Sequence, residues 1–135
     1  MSERPSRPRS RWQALVRSFG HALAGVWHAL CTQQNMRIHA TATLAVIALG
    51  VCLGLGATQW AVLALTIGMV LAAEMFNTVA EAAMDAATTE YHPLIKIAKD
   101  VAAGAVLISA IVAVIVGLLI LGPPLWQRIL GWLSL

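Results

Sequence analysis

Two long stretches of the chain carry no charged residue, and a third is interrupted by polar side chains. Residues 40–57 and 101–122 are uncharged, and each is close to the roughly 20 apolar residues that cross the hydrocarbon core of a bilayer as a helix. The uncharged run between them, residues 59–73, is too short to cross alone, so its helix must continue past Glu74. The sequence therefore predicts three membrane-spanning helices, at about 38–57, 59–84 and 94–122.

The composition agrees with a membrane protein. Hydrophobic residues make up 59% and charged residues 11% of the 135 residues, and the mean hydropathy is +0.78; soluble domains are far more polar. The length suits one domain. Cys31 and Cys52 form no CxxC motif and are interpreted as small apolar residues. We expect an all-α integral membrane protein.

The arginines indicate how the chain is oriented. Those ahead of the first span are Arg4, Arg7, Arg9, Arg11, Arg17 and Arg37. The positive-inside rule places this end, and with it the loop between the second and third spans, in the cytoplasm. We expect no nucleic-acid binding, because anionic lipid is the nearer partner for arginines beside a membrane span.

The two ends of the chain are predicted to lie outside the spans. Residues 1–11 have no hydrophobic period and predict a disordered basic tail. Residues 12–31 predict an amphipathic helix on the inner membrane surface, followed by a polar joint at 32–39. Pro123 and Pro124 predict the end of the third span at Gly122. The membrane domain would thus cover residues 12–122, and residues 123–135 would form a short outer interfacial helix without an assigned function.

Polar side chains at the inner end of the second span are the strongest functional signal. Asn77, Glu81 and Asp85 follow Glu74 at offsets of three, seven and eleven residues, which places all four on one helix face. A carboxylate at membrane depth is costly and is rarely found without a partner, a metal or a reaction to serve. We therefore expect the functional site on this face.

The loop and helix after this face add further polar groups at the membrane surface: Glu90, Tyr91, His92, Lys96, Lys99 and Asp100. Carboxylates bind Mg²⁺, and ammonium groups neutralise phosphate oxygens. The pattern indicates a magnesium–nucleotide site. The alternative is a helix hairpin whose charges pair with one another, for example Lys96 with Asp100.

The segment AEMFNTVAEAAMD, followed by EYHPLIKIAKDVAAGAVLISAIV and preceded by the joint NMRIH, resembles the prokaryotic diacylglycerol kinase family over about residues 19–121. The sequences of these segments are more similar to the undecaprenol kinase branch than to the Gram-negative diacylglycerol kinase branch. The resemblance implies a homotrimer in the bacterial inner (cytoplasmic) membrane, with active sites shared between subunits. Each site would use Mg²⁺ to transfer the γ-phosphate of ATP to the hydroxyl of a lipid alcohol, undecaprenol or diacylglycerol.

The resemblance also implies a role for each matching residue. Glu74 would be the general base for the lipid hydroxyl, Glu81 a metal ligand, and Asn77 and Asp85 supporting members of the site. The nucleotide would be held by Glu90, Tyr91, His92, Lys99 and Asp100.

Two positions depart from the family pattern. Gln33 stands in the joint where the family usually has a second metal-binding glutamate, and its amide oxygen is assigned as the ligand here. His21 stands where the family often places an aromatic residue against the nucleotide. We assign His21 to the nucleotide site, with a position among lipid headgroups as the alternative.

Two other functions are compatible with the sequence. Glu74 and Glu81 could line the cation path of a small oligomeric channel or transporter. Such a path needs polar groups along its whole length, and the spans add little beyond Thr41, Thr43, Thr66 and Ser109. The other alternative is a catalytically silent membrane scaffold, which the loss of a carboxylate at Gln33 suggests.

Overall fold

The protein is a bundle of long helices. The structure, a computed structural model, describes residues 10–88 and 90–133, in which the chain forms α1 (Arg11–Thr32), α2 (Gln34–Leu53), α3 (Ala57–Ala87) and α4 (Pro93–Leu133). Of these, α2, α3 and α4 are long and apolar enough to cross a membrane. The prediction of an all-α protein is confirmed for the described residues, and the three helices that could span a membrane correspond to the three predicted spans. Most of the predicted tail, residues 1–9, lies outside the described residues.

The packing leaves apolar surface on the outside of the bundle. The most extensive contact is between α3 and α4, and α2 packs against both. Large side chains such as Leu65, Leu107 and Leu118 are more than 60% exposed. Exposure of this kind over whole helices is unfavourable in water and favourable in lipid. The described large apolar residues and alanines that are buried are Ala29, Met36, Leu63, Val70, Val106 and Leu121.

The break between α1 and α2 is shorter than the sequence suggested. Only Gln33 leaves the helical conformation, with φ −98° and ψ 122°, and its N–H donates to the Ala29 carbonyl at 2.8 Å. The polar joint predicted at 32–39 is therefore too long. One extended residue is enough to turn the chain, and NMRIH belongs to the first turns of α2. The placement of α1 on the membrane surface stays a prediction.

The turn between α2 and α3 depends on two glycines. Gly54 adopts the left-handed conformation, with φ 70°, which other residues rarely take. Leu55 N–H then donates to the Gly50 carbonyl at 3.2 Å. A Cβ on Gly50 would lie 2.8 Å from the ring of Trp60. The indole thus packs on the α2 backbone and fixes the turn.

The predicted end of the last helix is wrong. Helix α4 does not stop at Gly122, and there is no separate helix from 123: it continues through Pro123 and Pro124 to Leu133. Each proline removes one backbone donor, but proline φ is compatible with a helix. A hydrogen bond joins the continued part of α4 to α2. The Arg128 guanidinium donates to the Cys52 carbonyl, which lies in the last turn of α2, where carbonyls lack intrahelical partners.

Candidate functional site

The C-terminal half of α3 buries two of the predicted site residues. Glu74 is 1% exposed and Asn77 is 5% exposed. They continue a row of buried α3 residues that also contains Leu63, Thr66 and Val70. Because these residues are three or four apart, they share one face of the helix. The prediction that Glu74 and Asn77 lie together, facing protein and not lipid, is confirmed.

The hydrogen bonds of this buried row are incomplete. Asn77 Nδ2 donates to Glu81 Oε1 at 3.1 Å, whereas Glu74 Oε2 and Asn77 Oδ1 are buried without a hydrogen-bond partner. A buried acceptor without a donor costs about 1–3 kcal/mol, and such groups are rare in native proteins. These two oxygens are therefore the acceptors that a proton, a cation or a ligand would satisfy.

The described residues of one chain supply only part of the ligands that a metal ion needs. Among residues 10–88 and 90–133, no group of three or more His, Cys, Asp or Glu side chains could hold an ion. Oxygens from Glu81 and Asn77 are nevertheless of the type that Mg²⁺ prefers, and Mg²⁺ is usually bound by one or two carboxylates together with substrate phosphates. The half-buried Gln33 is not hydrogen-bonded to Glu81.

An apolar crevice runs along the bundle between α2, α3 and α4. Its volume is about 450 Å³, and it extends from His39 at one end to Leu125 at the other. Small residues such as Ala113 and Gly117 of α4 line it. Val70 also lines it and precedes Glu74 by one helical turn, whereas Glu74 itself is not among the lining residues. Sequence patterns did not predict the crevice, because three helices must pack before it exists.

The predicted nucleotide residues gather in a second cavity, a polar basin at the α3–α4 connection. Its volume is about 680 Å³, and its lining residues are Asp85, Thr88, Glu90, Tyr91, His92, Ile95, Lys96, Lys99 and Asp100. All the predicted nucleotide-site residues except His21 are thus brought together. His21 is exposed on α1 and lies outside this lining.

The charges of the basin are paired with one another. The Lys99 ammonium group contacts the Asp85 carboxylate and joins α4 to α3, and Lys96 pairs with Asp100 at 2.5 Å. The Lys96–Asp100 pair is the one expected from the alternative of a helix hairpin with mutually paired charges, and it is present. Exposed ion pairs of this kind contribute little to stability. A phosphate group can therefore replace either carboxylate at small cost.

Local capping shapes the loop that borders the basin. The Leu94 N–H donates to His92 Nδ1 at 3.3 Å, and the Glu90 N–H donates to Thr88 Oγ1 at 3.0 Å. Pro93 follows as the first residue of α4, where its missing N–H and fixed φ fit a helix start. His92 thus caps α4, in addition to lining the basin.

The basin and the buried row belong to the same side of α3. Asp85 lies eleven residues after Glu74, which is ~16 Å along the helix axis, and Glu81 lies between them. A long polar ligand that lies along α3 would therefore reach from the basin to the buried carboxylate.

Comparison with known sequences identifies the family. The sequence model of the prokaryotic diacylglycerol kinases matches residues 20–121. The chain belongs to the prokaryotic diacylglycerol kinase family. The family match covers α2, α3 and all of the polar site, and it makes the chain a membrane lipid kinase of the diacylglycerol or undecaprenol kinase type.

Relatives within this family differ in the lipid they are named for. The undecaprenol kinase of Bacillus subtilis is 39% identical over 117 residues, covering 87% of this chain and 95% of that protein. The diacylglycerol kinase of Synechocystis is 49% identical over 121 residues, covering 87% of this chain and 69% of that protein. The diacylglycerol kinase of Escherichia coli is 31% identical over 101 residues, covering 75% and 83%. The identity to undecaprenol kinase thus exceeds that to the Escherichia coli diacylglycerol kinase and is lower than that to the Synechocystis diacylglycerol kinase.

One residue near the site was not foreseen from the sequence. His39 of α2 is half-buried and lines the crevice together with Val70 of α3, which precedes Glu74 by one helical turn. The available signal was a histidine in a helix whose following residues are apolar. From the sequence, NMRIH is interpreted as a joint between helices, and a joint gives no reason to place His39 near α3.

Proposed function

We propose that the protein phosphorylates the hydroxyl of a membrane lipid alcohol, undecaprenol or diacylglycerol, with ATP as the phosphate donor. The observation that carries this proposal is the buried, unpartnered carboxylate oxygen of Glu74, which follows the crevice-lining Val70 by one helical turn. The crevice would hold the lipid chain and bring its hydroxyl to Glu74. The names of the relatives support both lipid alcohols as acceptors.

The proposed reaction uses Glu74 as the general base. The lipid hydroxyl oxygen attacks the γ-phosphorus of ATP, and its proton passes to the Glu74 carboxylate. The bond between the γ-phosphorus and the bridging oxygen breaks, and ADP leaves with the electron pair. A general base typically contributes ~10²–10⁴ in rate. The burial of Glu74 also keeps water, a competing acceptor, away from the γ-phosphate.

The polar basin would hold the nucleotide. Lys99 and Lys96 would exchange their carboxylate partners for phosphate oxygens, because charge-assisted bonds to phosphate are strong. Tyr91, which is 80% exposed, offers an open ring face for the base, with Glu90 and His92 beside it. The phosphate chain would then lie along α3 toward Glu74.

A magnesium ion would be held by Glu81, Asn77 and, from the α1–α2 break, Gln33. When bound, it would neutralise charge on the phosphates during the transfer. Because one chain gathers only part of this donor set, we propose a homotrimer in which neighbouring subunits complete each site. His21, exposed on α1, would reach the nucleotide of a neighbouring subunit.

The basin must face the cytoplasm in this proposal, since ATP is found there. The arginines that precede α2 support this orientation through the positive-inside rule. We therefore propose that the protein lies in the bacterial inner membrane with its N-terminus in the cytoplasm.

A cation channel has less support. The polar side chains lining the crevice are His39, Thr43 and Thr66, and both threonine hydroxyls already donate to backbone carbonyls at 2.8 Å. The crevice therefore suits an apolar chain better than a hydrated ion.

The proposal can be tested with purified protein in bilayers that contain either undecaprenol or diacylglycerol. After addition of Mg²⁺ and γ-labelled ATP, we expect label in the phosphate of at least one extracted lipid, and none when the label is in the α-phosphate. The absence of lipid labelling by folded protein that binds ATP would contradict the proposed function.

A further inference from the structure

His39 lies where the crevice and the buried row of α3 meet. It is half-buried on α2, and the crevice residues Thr43 and Val46 follow it on the same face of that helix. Across the crevice stands Val70 of α3, one turn before Glu74. A lipid hydroxyl that approaches Glu74 through the crevice would therefore pass the His39 imidazole.

Glu74 needs a donor that α3 does not supply. Its Oε2 is buried without a hydrogen-bond partner, and the nearest charged residue along its own helix face is Glu81, which carries the same charge and interacts unfavourably with it. Thr78, one turn away, donates its hydroxyl to the Glu74 backbone carbonyl at 2.9 Å and not to the carboxylate. A buried carboxylate remains charged only when it is hydrogen-bonded or paired.

The His39 imidazole is the candidate donor from the opposite helix. The polar side chains that line the crevice are His39, Thr43 and Thr66, and both threonine hydroxyls already donate to backbone carbonyls. Histidine carries at least one N–H in either protonation state. The structure shows no hydrogen bond to Glu74 Oε2. Hydrogen bonds between catalytic groups are often long before substrate binds and shorten in the complex.

We propose that His39 is a positioning residue, whose imidazole N–H donates to Glu74 Oε2 and thereby directs the other carboxylate oxygen at the lipid hydroxyl. This inference rests on the proposed function, in which Glu74 accepts the hydroxyl proton. His39 itself exchanges no proton with the substrate. It fixes the orientation of the base and keeps the carboxylate in its charged, reactive form.

The test compares three substitutions at His39 in the full-length protein in bilayers with a lipid alcohol that the wild type phosphorylates. His39→Gln keeps an N–H donor, His39→Leu fills the space without one, and His39→Ala removes the side chain. The matched controls are His28→Ala, at an exposed histidine of α1, and Thr41→Val, on the exposed face of α2, where the hydroxyl donates to the Arg37 carbonyl at 2.8 Å.

We expect His39→Leu and His39→Ala to lower kcat about 10- to 100-fold, the range for one hydrogen bond to a charged group, with less than a threefold change in the KM for ATP. His39→Gln should recover at least a third of wild-type kcat. Both controls should retain wild-type kinetics. Size-exclusion chromatography identifies any variant that does not assemble, and that variant is excluded. The comparison of kcat between His39→Gln and His39→Leu then decides whether the N–H donor matters.

Two results would overturn the inference. One is a kcat within twofold of wild type for His39→Leu; the other is equal loss in His39→Gln and His39→Leu, which would indicate a packing role. Either result leaves the proposed function intact, provided that the wild type labels lipid. A wild type that labels no lipid would instead contradict the proposed function itself.

Discussion

Two regions near the C-terminal end of α3 differ in how their charged and polar groups are paired. One is the buried row around Glu74, and the other is the polar basin near Lys99. In the basin, each lysine pairs with a carboxylate at the exposed surface. In the buried row, Glu74 Oε2 and Asn77 Oδ1 have no partner. Paired surface charges can exchange partners at little cost, whereas an unpartnered buried acceptor is rare in native proteins.

This difference separates two tasks. The basin is suited to binding a charged ligand that comes and goes, and the buried row is suited to chemistry from which water is excluded. Substitutions in the buried row should therefore change the rate of transfer, and substitutions in the basin should change the concentration of nucleotide required. The following predictions test that division, starting from the largest effect.

Shortening the proposed base should give a large loss of rate. Glu74→Asp keeps the carboxylate but withdraws it by one methylene, and a misplacement of about 1 Å can cost ~10²-fold. We expect kcat to fall by about that factor while the KM for ATP hardly changes. Ser109→Ala, which removes a hydroxyl bound to the Ala105 carbonyl on α4, serves as the control. Wild-type kcat in Glu74→Asp would argue against a base at this position.

Removal of the proposed metal ligand should change the magnesium requirement. Glu81→Ala removes a charged oxygen donor and also frees the Asn77 amide, which donates to Glu81 in the wild type. We expect the Mg²⁺ concentration for half-maximal activity to rise by about tenfold or more, with lipid KM nearly constant. A Mg²⁺ titration measures this. An unchanged titration would assign Glu81 a structural role.

The two lysines of the basin should differ in importance. The Lys99 side chain is 35% exposed and bridges two helices, whereas that of Lys96 is 60% exposed and pairs within α4. Less solvent screening favours a stronger contact with phosphate, so Lys99→Met should raise the KM for ATP about tenfold, and Lys96→Met only a few-fold. Initial rates over a range of ATP concentrations measure both. Equal effects would show that the bridge to Asp85 is irrelevant to nucleotide binding.

The smallest effect is expected at Gln33. If this residue lies near the metal in the assembled site, Gln33→Glu supplies a charged oxygen of the same size and should lower the Mg²⁺ requirement a few-fold. If the new carboxylate instead faces Glu81 without a cation, like-charge repulsion should slow the reaction at neutral pH. Titration of both proteins distinguishes these outcomes. No change in either direction would place Gln33 outside the metal site.

The sequence was sufficient to predict the spans and most of the site because both depend on local spacing. The three uncharged or nearly uncharged runs predicted α2, α3 and α4, and the offsets after Glu74 predicted the buried face. The clustering of Glu90 to Asp100 followed from the short connection between α3 and α4. Each of these features is encoded within one helix or one turn.

The errors arose where contacts between distant segments decide the structure. Pro123 and Pro124 predicted a helix end by a local rule, but Arg128 of the continued helix contacts the last turn of α2, 76 residues away in sequence. The NMRIH segment was interpreted as a joint because it is polar, although the extended Gln33 alone makes the turn. The crevice and the role of His39 depend on three helices packing together.

The central claim is that Glu74 removes the proton from the lipid hydroxyl without taking part in nucleotide binding. The most direct test is single-turnover transfer from γ-labelled ATP, bound in advance with Mg²⁺, to the lipid alcohol in wild type and Glu74→Gln. We predict equal nucleotide binding and a rate of lipid labelling ~10²–10⁴ lower in the variant, because the proton acceptor is lost. A single-turnover rate above a tenth of the wild-type value would contradict the account.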